Sequence, residues 1–325
     1  MRYSHIAAAC ALSGALLSGQ AGAEEWRGWN IHVPDYPNSV ALDAFAAEVK
    51  EKTGGRIEPT PFHSGVLGNQ PDAIEQVRLG GLAFGNFNLG PMGPIVPEVD
   101  VVNLPFIFKD IDHMYRVMNG PIGDEISAAM AREGLVALGW FDSGSRSFYN
   151  SKKPIEVPAD LTGMKIRVMN NDLFVGMIEA LGGNATPMAF AEVFQSLKTG
   201  VVDGAENNWA SYQSTNHFEV AGYYSSSDHL IIPECICVNT GIWEGLSDAD
   251  KEIVKAAARN ASAMQRELMA ARVKKAEEDV IAAGVKYNRI ENKKPFQEAM
   301  GPVYEKAKQL NPALGPLIDK IQAFP

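Results

Sequence analysis

The chain has little of what nucleic-acid-binding and membrane-spanning proteins need. It is 325 residues long, and 29 Lys and Arg stand against 39 Asp and Glu, for a formal net charge of −10. No basic tract is present that could contact a row of phosphates, so nucleic acid is not expected as a partner. Beyond the N-terminal region, no apolar run reaches the roughly 18 residues that would predict a membrane-spanning helix.

The sequence also lacks the short motifs that accompany common enzyme chemistry. It contains no His-Glu-x-x-His, no Gly-x-Ser-x-Gly, no phosphate-binding loop and no Gly-x-Gly-x-x-Gly. The six histidines are scattered along the chain. These absences favour a binding protein over an enzyme, and they indicate neither a cofactor nor a metal.

Cysteine is scarce, with three in the whole chain. Cys10 lies within an N-terminal apolar stretch, which argues against a lipoprotein anchor. Cys235 and Cys237 are two residues apart on a predicted strand, where a bridge between them would strain disulfide geometry. A zinc site would need more ligands than His229 nearby. We therefore predict that the two cysteines are buried thiols.

The N-terminus has the pattern of a secretory signal peptide, 1–23. Arg2 precedes an apolar stretch over 6–17, and an Ala-Gly-Ala sequence at 21–23 comes directly before Glu24. A positive start, a short apolar segment and small residues at the cleavage site are typical of an exported protein. The sequence therefore predicts export.

Strands and helices alternate along the chain, which predicts a mixed α/β fold with mostly parallel sheets. A chain of this length exceeds one hydrophobic core and is expected to form two domains. The chain is expected to cross between the two domains twice. Each domain is therefore discontinuous, and the two crossing segments form a hinge. We predict that 24–145 plus 234–275 form domain I and that 146–233 plus 276–325 form domain II.

One long helix is predicted near the C-terminus. Neither Gly nor Pro occurs between Leu246 and Ala283, and Ser247 offers an N-cap. Small and apolar residues recur at helical spacing, and a rod of about 50 Å would cross both domains. A coiled-coil dimer is the alternative interpretation of the same stripe, although its residues are small.

Two segments carry the candidate chemistry. In the segment 163–169, Arg167 lies inside a strand-like apolar stretch, where a lone charge needs solvent, a partner or a ligand. In the segment 203–209, Asn207 and Asn208 precede Trp209, and amides beside an indole suit a hydroxylated ring. Together they indicate a small organic acid in a cleft. A structural pairing of Arg167 with an acidic residue of the second segment, Asp203 or Glu206, is the alternative.

Six motifs in order resemble the solute receptors of tripartite ATP-independent periplasmic (TRAP) transporters across the whole exported sequence. These motifs are Gly-Val-Leu-Gly at 65–68, Asn-Leu-Pro-Phe at 103–106, Arg146 with Asn-Ser-Lys-Lys-Pro-Ile at 150–155, Lys-Ile-Arg-Val at 165–168, Ala-Thr-Pro-Met at 185–188 and Gly-Val-Val-Asp-Gly-Ala-Glu-Asn at 200–207. The resemblance implies a two-domain periplasmic binding protein of the Venus-flytrap type, located in the periplasm. Its expected partners are a small carboxylate and the membrane permease subunits, and a monomer is expected.

The resemblance also implies roles for site residues. It makes Arg167 the bidentate anchor of the ligand carboxylate, with Arg146 and Asn207 at the same end of the ligand and Phe190 against it. In the first domain it places substrate-dependent contacts at His32, Gln70 and Asn88, which also follow predicted strand ends. Neutral hydrogen-bonding groups at these positions favour hydroxyls at the far end of the ligand.

The variant sequence Glu-Asn-Asn-Trp at 206–209 resembles that of hexuronate receptors, with Asn208 adding an amide and Trp209 a stacking face. We therefore expect galacturonate or glucuronate as the ligand. A C4-dicarboxylate or another hydroxy acid is the alternative within the same class. An exported enzyme that processes sugar acids, or a receptor that signals to a membrane protein, is the alternative from another class.

Overall fold

The protein is described by a computed structural model that covers residues 23–325. The predicted signal peptide, apart from its last residue, lies outside the described residues. Nine strands are present in this range: β1 (Glu24–Asn30), β2 (Ile57–Phe62), β3 (Phe84–Asn88), β4 (Leu135–Asn150), β5 (Lys165–Val168), β6 (Asn184–Pro187), β7 (Gly204–Asn207), β8 (Tyr223–Asn239) and β9 (Lys286–Arg289).

Twelve α-helices accompany these strands in the same described range. They are α1 (Pro37–Lys52), α2 (Gln70–Arg78), α3 (Ile111–Met118), α4 (Pro121–Arg132), α5 (Asp172–Ala180), α6 (Val193–Thr199), α7 (Trp209–Ser214), α8 (Thr240–Gly245), α9 (Asp248–Ala282), α10 (Lys294–Ala299), α11 (Gly301–Leu310) and α12 (Leu314–Ala323). No helix of the described residues is long and apolar enough to cross a membrane.

The strands form one continuous ladder in the order β2-β1-β3-β8-β4-β7-β5-β6, with β9 beside β8. At one end β1 is parallel to β2 and β3, and at the other β5 is parallel to β6 and β7. The long antiparallel strands β4 and β8 join the two ends. Their pairing shifts register between Asp142 and Ser145, so the ladder is interrupted at the middle of the crossing.

This topology brings the ends of both parallel groups to the same place. Asn88, the last residue of β3, is paired with Glu234 near the middle of β8. Asn207, the last residue of β7, is paired with Ser147 of β4, just after the register shift at 142–145. Because ligands of α/β sheets gather at the carboxyl ends of strands, the crossing region is where a site is expected.

The long helix α9 packs along both halves of the molecule. It begins after Ser247, whose side chain accepts a hydrogen bond from the Asp250 amide, and its 35 residues span about 52 Å. Its first half packs into a hydrophobic cluster with Phe45. Its last turns pack into another cluster with Tyr149. The prediction of one long helix across both domains is confirmed; its buried face includes Ala257, Ala261 and Val280, whereas Met264 and Leu268 are exposed.

The last helix packs against elements from the first half of the chain. Helix α12 packs against α4 and the 3-10 helix Pro97–Asn103, and it packs on α11 as well. The chain end is held there by Lys109, which donates to the Phe324 carbonyl at 2.7 Å, and by Arg116, which donates to the Pro325 carbonyl at 2.9 Å. The apolar face of α12 is therefore buried against residues that the sequence analysis assigns to domain I, and the domain boundaries stay a prediction.

The cysteine prediction was also wrong. Cys235 and Cys237 are fully buried, as expected, but they are joined to each other by a disulfide. Their Cα atoms are 5.5 Å apart, which lies within the range that a disulfide spans. The local chain path therefore accommodates a bridge that spacing along a regular strand does not favour.

Candidate ligand-binding site

A cavity lies at the crossing, between the two groups of parallel strands. The structure brings eight of the nine predicted residues to its wall: His32, Gln70, Asn88, Arg146, Arg167, Phe190, Asn207 and Asn208. Ile31, Pro71, Pro91, Met169 and Met188 supply apolar surface between them, and Ser143, Asn170, Ser211 and Glu234 add polar groups. An apolar cavity with a few convergent polar groups is the usual form of a small-molecule site.

Arg167 is a buried cation without a carboxylate partner among the described residues. It is 3% exposed, and its Nε and Nη2 atoms donate to the Met188 carbonyl at 3.1 and 2.8 Å. Its guanidinium carbon lies 5.9 Å from the centre of the Phe190 ring. Burial lowers the pKa of Arg167 to about 10. The alternative pairing is not observed, because Asp203 pairs with Lys152 and Glu206 with Arg146.

Arg146 is equally buried, but its charge is balanced within the protein. Its Nε and Nη2 atoms donate to the two carboxylate oxygens of Glu206 at 2.6 and 2.7 Å, and Nη1 donates to Asn207 Oδ1 at 2.8 Å. Burial would lower the pKa of Arg146, but the charge of Glu206 and its hydrogen bonds raise it above the usual value. Arg146 therefore orients Asn207 and contributes little uncompensated charge to the cavity.

The two asparagines after β7 have different local roles. The side-chain oxygen of Asn207 also accepts from the Asn208 amide at 2.9 Å, which leaves the Asn207 NH₂ group as the donor for the cavity. Asn208 is the N-cap of α7, and its oxygen accepts from the Ser211 amide at 2.8 Å. Both asparagines thus have fixed orientations before a ligand binds.

Trp209 does not line the cavity, contrary to the prediction of a stacking face. It is the first residue of α7, and its ring stacks on Tyr224 with the centres 3.5 Å apart. Tyr287 packs edge-on against the same indole at 5.3 Å. Trp209 belongs to the hydrophobic cluster beneath the end of α9. The start of the helix at Asn208 turns the next side chain away from the site.

The three first-domain residues lie together on the opposite wall. The His32 ring stacks on Tyr36 with the centres 4.1 Å apart. The Gln70 side chain donates to the Asn88 carbonyl at 2.7 Å, and the Asn88 side-chain oxygen accepts from the Gly90 amide at 2.9 Å. These contacts hold the side chains at the cavity wall.

Sequence reasoning missed Glu234, which lies at this same wall. Its carboxylate oxygens are both 3.3 Å from His32 Nε2, and Oε2 also accepts from Asn38 at 2.7 Å and from Asn86 at 2.6 Å. Burial would raise the pKa of Glu234, but the charge of His32 and these hydrogen bonds hold it below the usual value. The only signal in the sequence was one acidic residue inside the otherwise apolar stretch 230–238.

No cluster of three or more His, Cys, Asp or Glu residues that could hold a metal occurs among residues 23–325. The polar groups around the cavity are instead amides, hydroxyls, two arginines, a histidine and one carboxylate. This set can form hydrogen bonds and one ion pair with an organic anion.

The model of the family described as bacterial extracellular solute-binding protein, family 7 (DctP), matches residues 30–310. The chain belongs to this family. Its members are the periplasmic receptors of TRAP transporters, so the predicted fold, family and periplasmic location are confirmed.

Three relatives show how specific this similarity is. A curated solute-binding protein of Chromohalobacter salexigens is 54% identical and covers 97% of this chain and 95% of its own. A TRAP periplasmic solute-binding protein of Roseobacter denitrificans, crystallised with β-D-glucuronate, is 60% identical, with a TM-score of 0.92. The match covers 93% of this chain and 100% of that one. Another, from Sulfitobacter sp. NAS-14.1 and crystallised with β-D-galacturonate, is 57% identical, with a TM-score of 0.90. That match covers 92% of this chain and 99% of the other.

Proposed function

We propose that this receptor captures a hexuronate, glucuronate or galacturonate, and delivers it to a TRAP permease without changing it chemically. Arg167 supports the proposal most directly. It is a buried cation without a carboxylate partner among the described residues, and it lies beside the Phe190 ring at the cavity wall. A ligand carboxylate supplies the missing negative charge.

The rest of the cavity favours hydroxyls over a second acid. Arg146 is neutralised by Glu206, so it offers no full charge to another carboxylate. The opposite wall contains His32, Gln70 and Asn88 and also the carboxylate of Glu234. Hydroxyl groups both donate and accept hydrogen bonds, and they suit this mixture of amides, imidazole and carboxylate. A C4-dicarboxylate would place its second acid group near Glu234.

Closure of the two halves around the ligand is the proposed mode of binding. The Asn171 side chain, at the start of α5, donates to the Gly90 carbonyl at 2.8 Å and to Asp100 at 2.7 Å on the other side of the cleft. The Tyr36 hydroxyl lies 3.0 Å from that of Ser211 across the same cleft. A ligand that touches both walls favours the state in which these contacts form.

A ligand panel tests the proposal. The exported form is stripped of ligand by unfolding and refolding, and its melting temperature is measured with galacturonate, glucuronate, galactose, succinate, malate and sialic acid. A ligand at one hundred times its Kd stabilises the native state by about 2.7 kcal/mol, which is readily detected. We expect stabilisation by the uronates and none by galactose, which lacks the carboxylate.

The same samples distinguish the alternatives. A response to succinate or malate alone would contradict the sugar-acid assignment and retain the receptor class. Recovery of unaltered uronate by NMR after long incubation is expected, because a receptor performs no chemistry, and any turnover would support an enzyme. Light scattering during size exclusion checks the expected monomer.

A further inference from the structure

Glu234 and Arg167 lie at different ends of the same cavity. Arg167 belongs to β5 and Glu234 to β8, and the sheet order β8-β4-β7-β5 separates them by three strand spacings. Glu234 is registered to Phe141 of β4, whereas Arg167 is registered through Ala205 of β7 to Tyr149 of β4, so the two residues also lie at different positions along the strands. A ligand that spans the cavity therefore meets a cation at one end and an anion at the other.

The two oxygens of Glu234 are not equivalent. Oε2 accepts two short hydrogen bonds, from Asn38 at 2.7 Å and from Asn86 at 2.6 Å. Oε1 has only longer contacts, with His32 Nε2 at 3.3 Å and Asn88 Nδ2 at 3.5 Å. An oxygen with remaining acceptor capacity, in a side chain that lines the cavity, is suited to accept a hydrogen bond from a ligand.

Resting on the proposed function, we infer that Glu234 is a specificity-determining residue: its Oε1 atom accepts a hydrogen bond from a ligand hydroxyl opposite the acid group and repels a second anionic group there. The receptor is thereby selective for monoanionic polyhydroxy acids. Sugar diacids, which carry a carboxylate at both ends, are excluded.

The neighbours of Glu234 support this role. Asn38 and Asn86 fix one oxygen, so the carboxylate cannot rotate away from the cavity without breaking two short hydrogen bonds. The group is 1% exposed, so its charge is weakly screened by water, and His32, whose Nε2 atom is 3.3 Å from both oxygens, offsets part of that charge. A like charge brought close to a buried carboxylate is strongly disfavoured, while a hydrogen bond to a charged acceptor is among the stronger ones.

The test compares galacturonate with galactarate, its diacid, by calorimetric titration of the wild type and Glu234→Gln. Glutamine keeps an oxygen for Asn38 and Asn86 and presents an NH₂ group where Oε1 was. We expect the variant to lose about ten- to a hundredfold in galacturonate affinity. We expect its affinity for galactarate, relative to galacturonate, to rise at least a hundredfold.

Two further variants separate selectivity from folding. Glu234→Asp keeps the charge with a shorter reach, so it should still reject galactarate while binding galacturonate less tightly. Asn86→Ala removes one short hydrogen bond to Oε2 and keeps the other, from Asn38, so the charge stays at the cavity wall. This variant should lower the melting temperature and change the ratio of the two affinities much less than Glu234→Gln does.

An unchanged galacturonate-to-galactarate ratio in a folded Glu234→Gln protein would overturn the inference. The inference would also be overturned if the affinity for galactarate relative to galacturonate rose as much in Asn86→Ala as in Glu234→Gln. That result would assign Glu234 a structural role only. Failure of the wild type to bind any uronate is a separate result, which contradicts the proposed function itself.

Discussion

Replacing Arg167 with methionine should remove ligand binding while leaving the folded protein intact. The proposed anchor forms two charge-assisted hydrogen bonds to the ligand carboxylate, each of about 1.5–3 kcal/mol. Their loss amounts to about 3–6 kcal/mol, or a factor of roughly 10² to 10⁴ in Kd. Calorimetric titration with galacturonate measures this loss directly.

Most substitutions of buried residues lower the stability of the folded protein, but Arg167→Met should not lower the stability of the unliganded protein. Burial lowers the pKa of Arg167 to about 10. At 1.36 kcal/mol per pKa unit, holding the charge at this buried position costs about 3 kcal/mol at neutral pH. The methionine variant is relieved of this cost, but the Met188 carbonyl loses its donors, a penalty of about 1–3 kcal/mol. We therefore expect a melting temperature equal to or slightly above that of the wild type.

Arg146 is the matched control, because it is an equally buried arginine of the same cavity. Arg146→Met leaves the carboxylate of Glu206 buried and unpaired, which costs about 3–5 kcal/mol. This variant should melt on the order of 10 °C below the wild type. If Arg167→Met binds galacturonate with wild-type affinity, or if it is as unstable as Arg146→Met, the anchor role is refuted.

Three further predictions follow from the other contacts. Trp209→Phe should keep uronate affinity within about threefold while lowering the melting temperature, because the indole packs in the core. A large loss of affinity in calorimetry would show instead that the indole contacts the ligand. Asn171→Ala should weaken binding several-fold, mainly through faster dissociation in stopped-flow measurements, because contacts to Gly90 and Asp100 across the cleft are lost. The exported form, which lacks Cys10, should show no maleimide-reactive thiol when unfolded without reductant and two after reduction, since Cys235 and Cys237 are bonded.

The parts of the fold and site predicted from the sequence depend on local pattern or on the family motifs. The long α9 follows from an uninterrupted helical stripe after a serine cap. Arg167 is notable in the sequence because an arginine inside an apolar strand needs a partner, and the structure shows none among the described residues. His32, Gln70 and Asn88 follow from strand ends, where α/β folds bind ligands.

The parts that were missed depend on contacts between distant segments. Glu234 contacts His32 across 202 positions of the chain, and no local pattern connects them. The packing of α12 on α4 and the 3-10 helix Pro97–Asn103 was not predicted, because it depends on where a short amphipathic helix finds an apolar surface. Trp209 was misplaced because its direction depends on the residue at which α7 begins. Each of these is a question of tertiary geometry rather than of residue type.

The charges of the cavity also bear on when the receptor closes. In the described conformation Arg167 is 3% exposed and has no carboxylate partner among the described residues, and burial lowers its pKa. We propose that closure around Arg167 without a ligand carboxylate is disfavoured by this desolvation of the guanidinium. The ligand carboxylate removes the cost, and a neutral sugar does not. In this proposal, the arginine that anchors the acid also makes closure conditional on the acid, and recognition of the ligand is thereby coupled to the closed form expected to dock on the permease.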